Sequence, residues 1–348
     1  MIHSPAPVGG TERSAHPFVT PALSVLECAA QTPLKSARPM TEKHGMPANP
    51  LRVGYIGVGL MGHGAAKNIL LNGYPVRILG HRNRTAVDDL LARGATEATS
   101  AAELARTCEV VFTCLPSSVE VEEIVLGAGG LLEGLRPGVI LVDQTTADPN
   151  STRRIGQVLA ERGCAMVDAP VGRTPREAEE GKLNTFIGGA PEVIAKVRPI
   201  VACYADTIIE AGTLGSGHTL KLMNNFISIG TNAVIAEAVA TAARLGVDLH
   251  KLYEVVSSGG ANSAMFQMVM PWVLEGDDSR LKGPLRIAGK DMRFYCRLAE
   301  AIGAPAFVAQ AVNQTYLLAN AMGHGERFMP TLPGILAGLG GVTIRELP

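Results

Sequence analysis

The stretch Arg52-Val53-Gly54-Tyr55-Ile56-Gly57-Val58-Gly59-Leu60-Met61-Gly62, running on into His63 to Leu71, decides the fold class. Residues of strand character lead into three glycines spaced G-x-G-x-x-G, and a helical pattern begins just after them. In a strand-turn-helix of this kind the first glycine permits the tight turn. The second lets a pyrophosphate approach the backbone, and the third lets helix and strand pack closely. Backbone amides at the helix N-terminus then face the phosphates. The stretch reads as a dinucleotide-binding turn.

Outward from it, short apolar runs alternate with helical patterns as far as Gly212. Val76–Leu79, Val110–Cys114, Val139–Val142, Ala165–Val167 and Thr185–Ile187 have strand character, and 86–92 has helical character. Near-continuous apolar strands separated by helices predict a mostly parallel, doubly wound Rossmann-type α/β sheet, covered on both faces. Beyond Gly212 the strand signals stop. Residues 216–245 contain no proline and predict one helix about 45 Å long. Further helices are predicted at 249–258, 262–274, 285–302 and 304–322. The expected organisation is an N-terminal extension over 1–50, a Rossmann domain over 51–212, and an all-helical domain over 213–348 for substrate and dimerisation, joined by the long helix.

Composition narrows the function classes. The 348 residues carry 31 Lys and Arg against 32 Asp and Glu, so no basic footprint for nucleic acid exists. Aromatics at 4% provide no base-stacking platform. No uninterrupted apolar run approaches the roughly 18 residues of a membrane span. Cys28, Cys108, Cys114, Cys164, Cys203 and Cys296 are scattered, without metal-ligand spacing, and read as reduced thiols of a cytoplasmic protein. Residues 1–50 are rich in Pro, Ser, Thr and Ala and lack the apolar core of a secretory signal. Glu12, Glu27 and Glu42 argue against a transit peptide. The segment reads as a disordered extension, or as lying upstream of a true start at Met46.

The second strand selects the cofactor. NAD sites commonly place an acid about 20 residues beyond the glycine turn to bind the ribose 2′-hydroxyl. Here Leu79-Gly80-His81-Arg82-Asn83-Arg84 has no acid before Asp88, and Arg82 and Arg84 could fork onto a 2′-phosphate. NADP is expected, with NAD as the alternative. Two further segments follow strands and should meet near the nicotinamide: Asp143-Gln-Thr145-Thr146 and Asp168-Ala-Pro-Val-Gly172-Arg173-Thr174. The first could equally be a helix cap.

Over roughly 52–320 the chain resembles the β-hydroxyacid dehydrogenase family, which includes 3-hydroxyisobutyrate dehydrogenase and tartronate semialdehyde reductase. Five matches carry the resemblance in order: the Gly57 turn with Met61, Leu115-Pro116, the Asp143 segment, Lys221-x-x-Asn224-Asn225, and Lys290-Asp291. It implies reversible hydride transfer between NAD(P) and small hydroxy acids or their aldehydes, in a homodimer or homotetramer. It makes Lys221 catalytic with Asn225 as its partner and Asn224 beside the substrate. Thr145 would contact substrate; Thr146 and Lys290 would lie by the cofactor, with Gly57, Gly59, Leu60, Met61, Gly62, His81, Arg82, Leu115 and Pro116. Most members carry Ser-Gly-Gly where this chain has Gly172-Arg173-Thr174. That version looks like the sulfolactaldehyde reductase branch, which Ser228 also fits, and there it is associated with sulfonate binding.

The residues argue the same chemistry independently. Lys221, Asn225, Ser228 and Asn232 fall within roughly 60° on a helical wheel, among apolar neighbours. A narrow polar stripe holding a lysine suggests a cleft-facing seam, or else one satisfied by a neighbouring helix. An ammonium there can stabilise charge on a carbonyl oxygen and deliver the proton, and no metal is required. Arg173, Lys290 and desolvation would lower the lysine pKa. His63, His81 and His218 have no motif partner and read as loop or helix-end residues. The Arg173 fork suits a small anionic substrate such as a sulfonate or a carboxylate. The leading reading is reduction of a short anionic aldehyde, sulfolactaldehyde first, with 3-hydroxyisobutyrate or a tartronic or succinic semialdehyde as the alternative. Imine reductases replace the lysine, and a non-catalytic NADP-binding protein would not need Lys221 with Asn225.

Overall fold

In a computed structural model, residues 49–81 and 84–347 are described. Arg82, Asn83 and the segment 1–48 lie outside the described residues, so nearly all of the proposed extension does too. The chain opens with β1 (Val53–Ile56), α1 (Gly62–Leu71), β2 (Val76–Leu79), α2 (Arg84–Ala92), β3 (Thr96–Ala98) and α3 (Ala101–Thr107). Next come β4 (Val110–Thr113), α4 (Ser118–Leu126), α5 (Leu131–Gly134), β5 (Ile140–Asp143), α6 (Pro149–Ala160) and β6 (Ala165–Asp168). Then follow β7 (Val171–Gly172), α7 (Pro175–Glu180), β8 (Leu183–Gly188), α8 (Pro191–Val201) and β9 (Ala205–Gly212).

Strand order is β3-β2-β1-β4-β5-β6-β8-β7, with β9 beside β8. The first six strands are parallel, whereas β8 runs antiparallel to β6 and β7. Strand side chains alternate between two cores, as a doubly covered sheet requires. Phe112 and Val142 pack with Ile69 and Val197 of α1 and α8. Val111 and Leu141 pack on the other face with Leu104, Val125 and Ile155 of α3, α4 and α6. The order reverses between β1 and β4, which opens a crevice at their carboxyl ends.

All-helical structure follows: α9 (Ser216–Arg244), α10 (Leu249–Ser258), α11 (Ala264–Glu275), α12 (Leu285–Ala301), α13 (Phe307–Ala321), a 3₁₀ turn (Met329–Thr331) and α14 (Leu332–Leu339). Trp272, Tyr316, Phe266 and Leu332 fill its core against Val239 of α9. By length and mean hydropathy (1.4 over its most apolar window) α9 could cross a membrane. A search for uninterrupted apolar runs passes over it. Here its apolar side, including Leu222, Ile229, Ala236 and Val239, is buried within the protein.

The predicted strands and the five predicted helices after Gly212 match within a few residues. Missed among the strands were β3 (Thr-Glu-Ala), the two-residue β7, and β9, where Ile208 and Ile209 stand side by side without strand alternation.

One close contact fixes how the glycine-turn helix meets its neighbour. A Cβ on Gly64 of α1 would stand 2.4 Å from the backbone carbon of Ala178 in α7. Backbone cannot yield as a flexible side chain does, so Gly64→Ala should cost about 1–3 kcal/mol. The expected readout is a lower urea midpoint with an unchanged m value.

Candidate active site

The glycine turn has the geometry its spacing demands. Gly57 adopts φ +97°, and a Cβ there would lie 2.2 Å from the Cys114 carbonyl oxygen. A Cβ on Gly62 would lie 2.0 Å from the Gly57 carbonyl oxygen. Both glycines are therefore required by the fold itself. Gly59 is different: nothing lies within 4 Å of its would-be Cβ, so its backbone is open to a ligand. Helix α1 starts without a side-chain cap or an acid in its first turn, an end that suits an anion, with His63 N donating to Gly59 O at 3.0 Å. These features fit a dinucleotide pyrophosphate. Leu60 stands exposed at the lip and Met61 is partly buried behind it. Burial pushes the Cys114 thiol up to about 12, so it is no nucleophile at neutral pH.

At the end of β2 His81 is exposed, and Arg82 lies outside the described residues. Arg84 is not free as the sequence suggested; Glu97 holds its fork at 2.7 and 3.1 Å, and Asp88 approaches at 3.2 Å.

The loops after β4 and β5 are bound to each other. Leu115 N donates to Thr145 Oγ1 at 3.0 Å, and Thr113 Oγ1 and Thr145 N both donate to Asp143 Oδ1 at 2.9 and 3.0 Å. The Asp143 segment is thus no helix cap, because Asp148 caps α6 instead. Lys290, reaching over from α12, is buried. Its ammonium donates to Pro116 O at 2.7 Å and Thr146 O at 3.1 Å, and it pairs with Asp291 Oδ1 at 3.0 Å. Pro116, Thr146 and Lys290, read separately as cofactor neighbours, form one clamp.

Helix α9 is docked through its first turn. Asp168, at the end of β6, accepts from Gly215 N and His218 N at 2.7 Å each. Burial pushes the Asp168 carboxyl up, against the His218 charge and the two amides, which hold it down. His218 stands at a helix end, as the sequence allowed, in the first turn of α9. It is fully buried, 2.7 Å from Thr152 Oγ1 and 3.8 Å from both Asp143 Oδ2 and Asp168 Oδ2. Sequence gave little hint of this, because its partners come from two distant strands and a helix.

One turn further, Lys221 is half-buried, and no hydrogen bond holds its ammonium among the described residues. Burial pulls its pKa below the usual lysine range, the Asp291 charge pushes it back up, and the Lys290 charge adds to the lowering. Desolvation and Lys290 thus lower it as the sequence suggested, whereas Arg173 is not among the charges that reach Lys221 and Asp291 is. Asn225 Nδ2 donates to Asp291 Oδ2 at 2.7 Å, and its Oδ1 accepts from Asn224 at 3.2 Å. Asp291 was legible only as half of a matched pair; its role as the link between Asn225 and Lys290 was not. The polar stripe divides lower down. Ser228 Oγ donates to Asn224 O at 3.0 Å, and buried Asn232 donates to Tyr316 Oη at 2.8 Å. The Asn232 amide nitrogen thus belongs to a neighbouring helix.

The turn 172–174 follows β7. Gly172 lies against Asn184, whose Oδ1 a Cβ would approach to 2.2 Å. Arg173 has φ +73°, the only non-glycine in the left-handed region among the described residues. This is a conformation that favours glycine. Its guanidinium is occupied: Nη1 donates to Asp206 at 2.8 and 2.9 Å and to the Lys182 carbonyl. The free fork inferred from sequence is therefore corrected to an ion pair with β9. Thr174 caps α7 in a reciprocal box with Glu177.

A family model described as the NAD binding domain of 6-phosphogluconate dehydrogenase matches residues 52–212. A second, described as NAD-binding of NADP-dependent 3-hydroxyisobutyrate dehydrogenase, matches 215–330. The chain is 32% identical to 3-sulfolactaldehyde reductase of Escherichia coli (strain K12), over 79% of this chain and 92% of that protein. The chain belongs to the β-hydroxyacid dehydrogenase family. Its fold is similar to 3-hydroxyisobutyrate dehydrogenase from Salmonella typhimurium, with TM-score 0.72, 26% identity, and 82% and 99% of the two chains covered. A similar structure is that of Psf3 in complex with NADP+ and 2-OPP, with TM-score 0.70, 25% identity, and 82% and 99% covered. As a member of this family it is an NAD(P)-dependent oxidoreductase acting on hydroxyl groups.

The clamp makes a stability prediction. Lys290→Met would remove the donor to the Pro116 and Thr146 carbonyls and leave the buried Asp291 without its cation, at a cost of about 3–5 kcal/mol. Chemical denaturation should show this loss.

Proposed function

We propose that the chain reduces a short anionic aldehyde with NADPH, and oxidises the matching β-hydroxy acid in reverse, with Lys221 as the proton donor and acceptor. The observation that carries this reading is Lys221 itself. Its ammonium is half-buried and unbonded among the described residues, and its pKa is pulled down. It lies within charge reach of Asp291 and Lys290, and Lys290 grips the loops of Pro116 and Thr146 at the crevice. A bound nicotinamide supplies or accepts the hydride. Lys221 stabilises the negative charge that grows on the carbonyl oxygen and donates the proton. In the reverse direction the neutral amine takes the alcohol proton. Asn225, held by Asp291, orients this end of α9, and Thr145, its oxygen already accepting from Leu115 N, keeps its hydroxyl proton for a substrate oxygen.

For the substrate, the Gly172-Arg173-Thr174 turn and the 32% identical relative support sulfolactaldehyde. On this reading Arg173 exchanges Asp206 for the sulfonate, with Thr174, Asn224 and Ser228 lining the pocket. The Arg173–Asp206 pair favours a second reading, in which backbone amides hold a carboxylate, as for 3-hydroxyisobutyrate or a tartronic or succinic semialdehyde. The division at residues 212–213 between dinucleotide and helical domains, and a cytoplasmic location, belong to the same proposal. So does a homodimer or homotetramer, supported by exposed Ile227, Val234, Val255, Phe307 and Val308.

Lys221→Ala should lower kcat by about 10²–10⁴-fold while leaving NADPH affinity unchanged. Retained turnover in a stopped assay of NADPH oxidation would sink the assignment. Alcohol oxidation needs the neutral amine, so its rate should rise with pH to a limb below the ordinary lysine range. Asp291→Asn removes the charge that raises this pKa and should move the limb to lower pH. Arg173→Ala should cost about ten- to hundredfold in kcat/KM for sulfolactaldehyde if its fork binds the anion. Unchanged kinetics across sulfonate and carboxylate aldehydes would favour the second reading.

A further inference from the structure

The end of β2 carries no acid, yet an acid stands there. β3 pairs in parallel with β2, with Ile78 opposite Glu97 and Leu79 opposite Ala98. A Cβ built on Gly80 would come within 2.0 Å of Glu97 Oε1 and 2.8 Å of Arg84 Nη1. The Glu97 carboxylate and the Arg84 guanidinium therefore fill the space that a side chain at the end of β2 would occupy. In a Rossmann site that position lies beside the adenosine ribose. Arg84 meets both Glu97 oxygens, at 2.7 and 3.1 Å, through the same two-pronged geometry that a phosphate monoester would use. Asp88 adds a second carboxylate at 3.2 Å, so one guanidinium faces two negative groups.

We propose that Glu97 sets the NAD-against-NADP preference of this dinucleotide site by holding the Arg84 fork that a ribose 2′-phosphate would otherwise take. With NAD, the ribose 2′-hydroxyl donates to the Glu97 carboxylate and the ion pair with Arg84 stays whole. With NADP, the phosphate must displace Glu97 from Arg84 and then lie beside that carboxylate. Two like charges at this range oppose binding, and among the described residues the Arg84 guanidinium is what offsets them. Glu97 thus acts as an internal competitor of the 2′-phosphate. The inference rests on the family's dinucleotide site at the glycine turn and bears on the cofactor of the proposed function, where it weighs toward NAD as the alternative to NADP. It does not depend on Lys221 or on the identity of the aldehyde.

The test is direct titration of the full chain with NADPH and with NADH, read by nicotinamide fluorescence, in the absence of substrate. Glu97→Gln keeps the shape, removes the charge, and alters only a partly exposed surface pair, so the fold should be retained. NADPH affinity should rise about tenfold relative to NADH. Adding Arg84→Ala to that variant should abolish the gain. A ratio unchanged within twofold would overturn the proposal. So would a parallel loss of both affinities, or a gain that survives without Arg84. Failure of the unmodified chain to bind either nucleotide would overturn the dinucleotide reading, and this proposal with it. Inactivity toward aldehydes alongside normal nucleotide binding would count against the substrate reading alone.

Discussion

The buried ammonium of Lys290 is the interaction on which the site's geometry depends. It draws the loop after β4, the loop after β5 and the carboxylate of Asp291 to one point. Of these groups the Asp291 carboxylate is buried and would be the costliest to leave without its cation. A helix from the C-terminal half of the chain is thereby tied to the carboxyl ends of β4 and β5, beside the point between β1 and β4 where the strand order reverses. The crevice has a fixed far wall because of it.

Helix α9 is set by a second tie of the same kind. Asp168 holds two amides of its first turn, and a favourable helix dipole accompanies a carboxylate placed there. His218 fills the space between Asp168 and Asp143, joining the ends of β5 and β6 to that same turn. Lys221 follows one turn later, so its place in the cleft is inherited from the docked helix. The two ties converge at Asp291, which pairs with Lys290 on one oxygen and accepts from Asn225 on the other.

The division of labour between the two lysines follows from their partners. Lys290 is saturated with acceptors and acts as a structural cation. Lys221 has burial without a hydrogen bond among the described residues, which weakens its hold on a proton. On the proposed function, an ammonium with a lowered pKa suits giving up and retaking a proton below the ordinary lysine range, whereas one wrapped by two carbonyls and a carboxylate does not. The same contrast holds for the arginines: Arg84 and Arg173, which sequence offered as open forks, are both paired with carboxylates.

Local pattern in the sequence determined the strand-turn-helix at Gly57, the alternation of apolar strands and helices, and the long α9 with its narrow polar stripe. Glycine spacing and the periods 2 and 3.6 are properties of neighbouring residues, so they survive without knowledge of the fold. Helical spacing also drew attention to Lys221 and Asn225, position after a strand to Thr145 and Thr146, and the family resemblance to Lys290. What none of these could supply was partnership across distance. That His218 sits between Asp143 and Asp168, that Asn232 belongs to Tyr316, and that Glu97 occupies Arg84 were decided by tertiary structure. In each pair the residues come from elements that only sheet pairing and helix packing bring within a few ångströms, and a side chain's charge has meaning only once its neighbours are fixed.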